Sequence, residues 1–300
     1  MKLDRLSLVL ACAILAVFFV APLALMALYS FFTYDPYRLL VPEFTFQNYI
    51  TLLGNEYDRT VFLRTIWLSV LATAICLVVG FCVASYMRSA GSRARLIVTI
   101  ALMTPVLLSD VVLGYAWLVL LAPRSGTVSL ALNAMGLLDG ALPIMGTELG
   151  ILVGLVYLGL GFMVVNIYAA MEAVGQNEVR AAAVLGSGPW SRLWLVTVPL
   201  VRPGLLSGTL ITFAVTSSAF VLPLMLGGRR TPVLSVYIYD LNTYVLNWPL
   251  GAAAAIALLL LSLVTAWTIL MMGTGSRTSG TSQSKPISSR ESLRKVPTNA

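Results

Sequence analysis

The chain of 300 residues contains no histidine and only three cysteines. Without an imidazole, it cannot form a Ser–His dyad or a zinc site that needs a histidine ligand. The cysteines, Cys12, Cys76 and Cys82, show no CxxC or similar spacing, so neither a disulfide framework nor a metal site is indicated. A GxSxG motif is also absent. Together these absences argue against a membrane-embedded hydrolase.

Charged side chains are scarce as well. They make up 10% of the chain, against about 25% in an average soluble domain, and 59% of the residues are hydrophobic. Six apolar runs reach the roughly 20 residues that a helix needs to cross about 30 Å of hydrocarbon. They are Leu6–Phe32, Thr65–Met87, Leu96–Ala122, Leu149–Met171, Pro203–Leu226 and Pro249–Met272. Because a lipid-exposed span must satisfy its backbone hydrogen bonds internally, we predict an all-α integral membrane protein with six transmembrane helices.

Lysine and arginine are unevenly placed along this six-span chain. If the amino terminus is cytoplasmic, 13 of the 19 basic residues fall on the inner side and 6 on the outer side. The positive-inside rule then predicts that both termini lie in the cytoplasm. The net charge of +7 is accordingly interpreted as a signal of membrane orientation and not of nucleic-acid binding.

The regions outside the apolar runs differ in character. Residues 273–300 are rich in Ser, Thr, Gly, Lys and Arg and have little apolar content, so we predict a disordered cytoplasmic tail after a membrane domain over residues 1–272. Between spans, we expect one short helix that begins near Thr45 and another within Pro123–Gly146.

A polar, arginine-bearing segment over residues 172–202 separates the fourth and fifth runs. Gly186 is predicted to end a helix, since glycine readily adopts the left-handed geometry that follows a helix terminus. Pro189 then suits the first position of a short new helix, because its missing N–H has no partner there. Pro199 and Pro203 break the chain again before the next run. The pattern predicts a short helix between two breaks at the cytoplasmic face.

The short helix carries an apolar stripe. Trp190, Leu193 and Trp194 recur at spacings of three and four residues, which places them on one helical face. Two interpretations stay open at this point. The stripe either contacts a cytoplasmic partner or lies on the lipid surface as an ordinary interfacial helix.

The segment resembles a known loop. Gly186, nine intervening residues, Val196, one residue and then Val198-Pro199 are similar to the "EAA…G…I-LP" loop of ATP-binding-cassette (ABC) importer permeases. The preceding run, GLVYLGLGFMVVNIYAAMEAV, and the NWPLGAA start of the sixth run resemble the same family, and the overall pattern over residues 6–272 looks most like spermidine/putrescine-type permeases. The resemblance implies the six-span transmembrane fold of a type I importer, with residues 1–272 as the permease domain.

The resemblance also implies partners. These are two cytoplasmic ATPase subunits that would hold ATP and Mg²⁺, a second homologous permease, and an outer solute-binding protein, all at a bacterial inner membrane. This chain itself would carry no catalysis, metal or cofactor. The residues implied in ATPase coupling are Arg180, Ala181, Ala182, Gly186, Ser187, Pro189, Trp190, Arg192, Leu193 and Pro199. Arg180 departs from the family pattern, because it stands at the first position of the "EAA" triplet, where the family usually has Glu.

A carboxylate within the third run suggests a solute pathway. Asp110 is expected near the middle of that run, where a charge costs roughly 2.5–3.5 kcal/mol on insertion scales and usually faces a cavity or another helix. With Ser109, Tyr115 and Trp117 it could line a path for a cationic amine, through ion pairing and cation–π attraction. A structural hydrogen bond, or a position nearer the outer surface, is the alternative. Asn166 and Ser217 are weaker lining candidates.

Other functions remain open as alternatives to an importer of polyamines. Similar permeases carry amino-acid-like compounds, phosphonates or thiamine, and one permease sequence does not separate these cargoes. An ion-gradient-driven transporter is the more distant alternative. It would be expected to show more intramembrane charge than Asp110 alone, and it would leave the loop over residues 172–202 without a role.

Overall fold

The computed structural model describes residues 2–137, 140–174, 188–228 and 230–274. The described part is mainly helical. Its α-helices are α1 (Lys2–Tyr29), α2 (Gln47–Gly54), α3 (Glu56–Ser89), α4 (Ser92–Leu107), α5 (Asp110–Leu120), α6 (Thr127–Ala134), α7 (Glu148–Ala173), α8 (Pro189–Arg192), α9 (Val198–Leu200), α10 (Arg202–Ser218), α11 (Val221–Gly227), α12 (Leu234–Asp240) and α13 (Trp248–Thr274). Two π-helical turns, Leu193–Thr197 and Leu241–Val245, follow α8 and α12. Strands β1 (Phe32–Thr33) and β2 (Val41–Phe44) form an antiparallel hairpin.

Three of the described helices, α3, α7 and α13, are long and apolar enough to cross a membrane. The number rises to five if each of two bent pairs counts as one span. One pair is α4 with α5, and the other is Leu193–Leu200 with α10. In α1 a shorter apolar stretch, Ala13–Tyr29, coincides with the first predicted run. The structure thus supports a helical membrane protein and shows fewer uninterrupted spans than the six that hydropathy predicts.

The third predicted run is not one helix. It divides into α4 and α5, whose axes are bent by 111° at Leu108 and Ser109. Both of these residues have extended backbone angles. Serine is favoured immediately before a helix, and hydropathy, which counts only transfer energy, does not register that preference. Asp110 therefore opens α5 at a break and does not lie within a continuous span.

The core lies where α3, α7 and α10 pack together. Buried Cys76 of α3 and buried Met163 and Ile167 of α7 belong to one apolar cluster. Small residues permit the close approach, since a β-carbon added at Gly159 would meet Thr212, and one added at Gly208 would meet Met163. Helices in lipid commonly associate through such small-residue contacts.

The two ends of this bundle are distinct. The hairpin end carries β1, β2, α2 and α12, and there the buried amide of Asn48 donates to the carbonyl oxygens of Ser30 and Phe32. The opposite end, called the loop end here, contains the corner between α3 and α4 and the last residue of α7. The short helices predicted near Thr45 and within 123–146 are present as α2 and α6.

Candidate functional site

The segment predicted to couple to an ATPase is described only in its second half. Arg180, Ala181, Ala182, Gly186 and Ser187 lie outside the described residues. The second half begins as predicted, because α8 starts at Pro189 and includes Trp190 and Arg192.

Beyond α8 the chain stays helical for longer than the sequence suggests. Leu193 opens a π-helical turn, and Pro199 lies inside the short helix α9. The break falls at Val201, where the axis bends by 63° into α10. Pro203 has no N–H to donate to the carbonyl of Pro199, which accounts for a break between the two prolines. The predicted break is therefore present as a bend between two helical segments.

The π-helical turn exposes apolar side chains. Trp194 and Leu195 are 61% and 75% exposed, whereas Leu193 is half-buried. Next to them, Nε of Arg192 is buried and has no hydrogen-bond partner within the described ranges. A buried donor without an acceptor is energetically unfavourable. π-helical turns occur frequently at functional sites, so this region remains the candidate contact surface.

The candidate pathway residues of the third run cluster at the break between α4 and α5. Ser109 and Asp110 are adjacent and exposed, and Tyr115, one turn or more further along α5, is 60% exposed. As the first residue of α5, Asp110 is also favoured by the positive end of the helix dipole. Its position thus has a local structural explanation besides a pathway role.

Trp117 faces a different neighbour. Its ring packs edge-on against Tyr157 of α7, with centroids 5.3 Å apart. The two rings line a small groove of about 290 Å³ together with Leu113, Ala116 and Leu120. This apolar contact joins α5 to α7.

Asn166 and Ser217 take part in helix packing. The amide of Asn166 donates to the Phe162 carbonyl at 2.8 Å, and its Oδ1 accepts from Ser207 at 3.1 Å. Ser217 is 1% exposed and donates to the Ala214 carbonyl in its own helix. Both side chains are therefore engaged within the chain, and their lining role stays a prediction.

Sequence reasoning missed three polar contacts that α3 makes with distant parts of the chain. The Tyr237 hydroxyl donates to Oδ1 of buried Asp58, and Nε of Arg64 pairs with Oε1 of Glu148 at 2.8 Å. Arg64 also donates to the carbonyl oxygen of Pro232. These contacts tie α3 to α12, to α7 and to the segment before α12. Their partners are 84 to 179 residues apart, so no local pattern reveals them.

Burial and this hydrogen bond affect the acidity of Tyr237. Burial disfavours the charged phenolate, and the adjacent Asp58 carboxylate both accepts the proton and repels a second negative charge. All of these effects raise the pKa of Tyr237 above its ordinary value of 10.0.

Comparison with known proteins agrees with this architecture. The spermidine/putrescine transport system permease protein PotB of Haemophilus influenzae is 28% identical over 260 residues, which cover 87% of this chain and 90% of that protein. The molybdenum transport system permease protein ModB of Azotobacter vinelandii is 33% identical over 189 residues, covering 62% and 81%. A crystal structure of a bacterial ABC transporter that imports the acidic polysaccharide alginate has the same fold, with a TM-score of 0.76 over 92% of this chain and 97% of that one, at 20% identity.

The family described as "Binding-protein-dependent transport system inner membrane component" matches residues 76–273. This range includes the central helices α7 and α10 and the segment between them. The match extends over more than half of the chain, and the fold agrees with it independently. The chain therefore belongs to this family of inner-membrane permease subunits of ABC importers.

Proposed function

We propose that this chain forms half of the translocation pathway of an ATP-driven importer for a polyamine of the spermidine/putrescine kind. The observation that carries the proposal is the similarity to PotB along nearly the whole length of both proteins. Solute selectivity would reside largely in an outer binding protein that delivers the cargo. A crystal structure of the alginate transporter in complex with its periplasmic protein supports a partner of this kind.

Coupling to ATP hydrolysis is assigned to the segment 172–202. The exposed Trp194 and Leu195 offer an apolar contact surface, and Nε of Arg192 lacks an acceptor within the described part of the chain. An ATPase subunit that covers this surface and supplies an oxygen acceptor would remove both unfavourable features. This chain would then carry no catalytic step, and ATP and Mg²⁺ would be held by the ATPase subunits.

The arrangement in the membrane follows from the same proposal. The loop end would be cytoplasmic, with both termini on that side, because the basic residues concentrate there. The hairpin end would face the binding protein. A homologous second permease would complete the pathway as a heterodimer, and the break at Ser109 and Asp110 would face the passing solute.

A molybdenum oxyanion is a second candidate cargo, and one observation favours it. ModB has the higher identity, 33%, although over a shorter part of this chain. ModB is a permease protein of a molybdenum transport system, and a molybdenum oxyanion has the opposite charge to a polyamine. The exposed carboxylate of Asp110 favours the cation, since it would repel an oxyanion that passes the break.

Two measurements test the proposal. The tagged chain, extracted gently from native membranes, should be recovered with an ATPase and a second permease, identified by mass spectrometry. Vesicles from the same cells, loaded with ATP and supplied with the binding protein, should accumulate labelled spermidine and not labelled molybdate. Recovery of the chain alone contradicts the importer assignment, whereas recovery of the complex with molybdate uptake contradicts only the polyamine assignment.

A further inference from the structure

A groove of about 510 Å³ lies between α1 and α13, next to the hairpin end of the bundle. One wall is a single face of α1, formed by residues at spacings of three and four, Pro22, Leu25, Met26 and Tyr29. The floor is formed by small residues of α13, Gly251, Ala252 and Ala255. No described residue that lines the groove carries a charge. The α1–α13 groove therefore has apolar walls and a floor without large side chains.

The groove opens at one membrane surface. Tyr29 is the last residue of α1, Trp248 is the first residue of α13, and both line the groove. Tyrosine and tryptophan are favoured at the level of the lipid headgroups. From Tyr29 back to Pro22 the groove extends about 10 Å along α1, which is about a third of the thickness of the hydrocarbon core. It thus runs from the headgroup level into the hydrocarbon.

The polar side chains of the lining lie at this open end. Besides Tyr29 and Trp248, the lining includes Asn242 from the π-helical turn after α12. Nδ2 of Asn242 donates to the Ile238 carbonyl at 2.9 Å, and the side chain lies so close to Gly251 that an added β-carbon there would overlap it. Gly251 is only about one helical turn from Trp248. A polar rim above apolar walls matches a molecule with a polar head and a hydrocarbon chain.

The dimensions of the groove distinguish a lipid from a neighbouring helix. A volume of about 510 Å³ along about 10 Å of helix corresponds to a cross-section of about 50 Å². A helix with its side chains is about 10–12 Å across, which corresponds to about 80–110 Å², so it is too wide to enter. Hydrocarbon chains are narrower. At about 30 Å³ for a group of the size of a water molecule, the groove holds roughly 17 such groups.

Lipid reaches the groove directly, because the helices on both sides of it face the bilayer. In the apolar window of α13, 6% of the residues are buried within the described structure. Leu25 of α1 is 53% exposed although it lines the groove. Among the described helices, α1 contacts chiefly α13. A hydrocarbon chain in the groove would therefore add dispersion contacts to both helices and hold α1 on the bundle.

We propose that the α1–α13 groove binds the acyl chains of a membrane phospholipid, with the headgroup beside Tyr29 and Trp248. The proposal is independent of the cargo and of the ATPase, since it requires only that the chain lies in a membrane. The lining recognises hydrocarbon, and without a charged side chain it does not select the charge of the headgroup.

The chain offers matched variants. Ala255→Leu places three additional carbon atoms in the groove. Ala24→Leu makes the same addition on α1 at a similar depth, where the side chain is exposed and does not line the groove. A second pair lies on α13. Trp248 and Trp267 are 42% and 63% exposed, and of the two only Trp248 lines the groove.

The experiment counts bound phospholipid. The protein is purified from native membranes with its accompanying subunits, stripped of lipid by detergent washing, and titrated with palmitoyl-oleoyl phosphatidylethanolamine under native mass spectrometry. The wild type and Ala24→Leu should bind this lipid equally. Ala255→Leu should bind it at least about tenfold more weakly, since two or three methylene groups are excluded. Phosphatidylglycerol with the same chains should bind like phosphatidylethanolamine, whereas phosphatidylethanolamine with short chains should bind more weakly.

Each outcome decides the proposal. It is overturned if the wild type binds no phospholipid, or if Ala255→Leu binds as well as Ala24→Leu. Equal binding of the short-chain lipid would indicate a headgroup site and contradict recognition of the chains. Loss of a protein subunit from Ala255→Leu with lipid binding unchanged would assign the groove to a partner subunit. Should Ala255→Leu not accumulate in the membrane, Trp248→Leu must bind the lipid more weakly than Trp267→Leu for the proposal to stand.

Discussion

The Tyr237 hydroxyl donates a 2.5 Å hydrogen bond to Oδ1 of Asp58, a residue 179 positions earlier in the chain. Asp58 is 2% exposed and lies in the first turn of α3, while Tyr237 lies in α12. A buried carboxylate needs donors to offset its lost hydration. The contact therefore fixes the short helix α12 against the first turns of a membrane span.

Tyr237→Phe removes the donor and leaves the carboxylate buried. A hydrogen bond to a charged group contributes about 1.5–3 kcal/mol, so we expect the variant to be destabilised by about this amount. The measurement is thermal unfolding of the purified protein in detergent. Tyr37→Phe is the control, because Tyr37 is 95% exposed, and it should unfold with the wild-type protein. Equal unfolding of the two variants would show that the bond contributes little.

The raised pKa of Tyr237 also predicts how stability depends on pH. A group whose pKa is higher in the folded state contributes its full stability below the unfolded pKa, which for tyrosine is about 10. As the pH rises above that value, the unfolded chain loses the proton while folded Tyr237 keeps it, so this contribution declines. Unfolding temperatures measured between pH 8 and pH 11 should fall more steeply for the wild type than for Tyr237→Phe. If the unfolding temperatures of the wild type and of Tyr237→Phe fall equally with pH, the raised pKa of Tyr237 is contradicted.

Gly161 provides a test of the packing between α4 and α7. A β-carbon at this position would overlap the Leu102 carbonyl, which belongs to helix backbone and cannot turn away. Gly161→Ala should therefore destabilise the protein by about 1–3 kcal/mol, the usual effect of overpacking. The control is Gly54→Ala, because Gly54 ends α2 with open space around it. Unfolding in detergent is compared for the two variants, and a stable Gly161→Ala would show that α4 can separate from α7.

Sequence patterns predicted the apolar helices because an apolar run is recognised from its local hydrophobicity and its length alone. They also placed the start of α8 at Pro189, because the preference of proline for the first helical position depends only on its own missing N–H. The break at Leu108 and Ser109 was missed, since the residues on both sides are apolar enough to continue a span. A hydropathy pattern does not distinguish a straight helix from two helices at 111°.

The polar contacts between helices could not be predicted for a different reason. Asp58, Arg64 and Arg95 are each followed by ordinary helical sequence, and their partners lie in elements that only the tertiary fold brings near. Asn166 was expected at the pathway as a polar residue within a span. The structure places its side chain against Ser207, which is another common use of such residues in membrane helices, and its lining role stays a prediction.

The glycine at position 186 lies outside the described residues, and its role rests on the family resemblance. Gly186→Asp adds a side chain and a negative charge at the predicted end of a helix, where the dipole is also negative. We expect the variant to enter the membrane normally, while solute uptake is lost and ATP hydrolysis no longer responds to the loaded binding protein. Membrane content by immunoblot, uptake and hydrolysis are measured together. Normal uptake would contradict the coupling role of the segment.

Substitutions of Asp110 distinguish a pathway role from a role at the start of α5, where its charge interacts favourably with the helix dipole. Asp110→Asn keeps the size of the side chain and removes its charge, whereas Asp110→Ala removes both the size and the charge. If the carboxylate attracts a cationic solute, both variants should lower uptake of labelled spermidine by about tenfold or more, because an ion pair in a narrow site contributes more than a neutral contact. If Asp110 serves only α5 through the helix dipole, both variants should transport normally and show a slightly lower unfolding temperature. Both variants must reach the membrane at wild-type levels, and normal uptake by Asp110→Asn would exclude the charged contact with the solute.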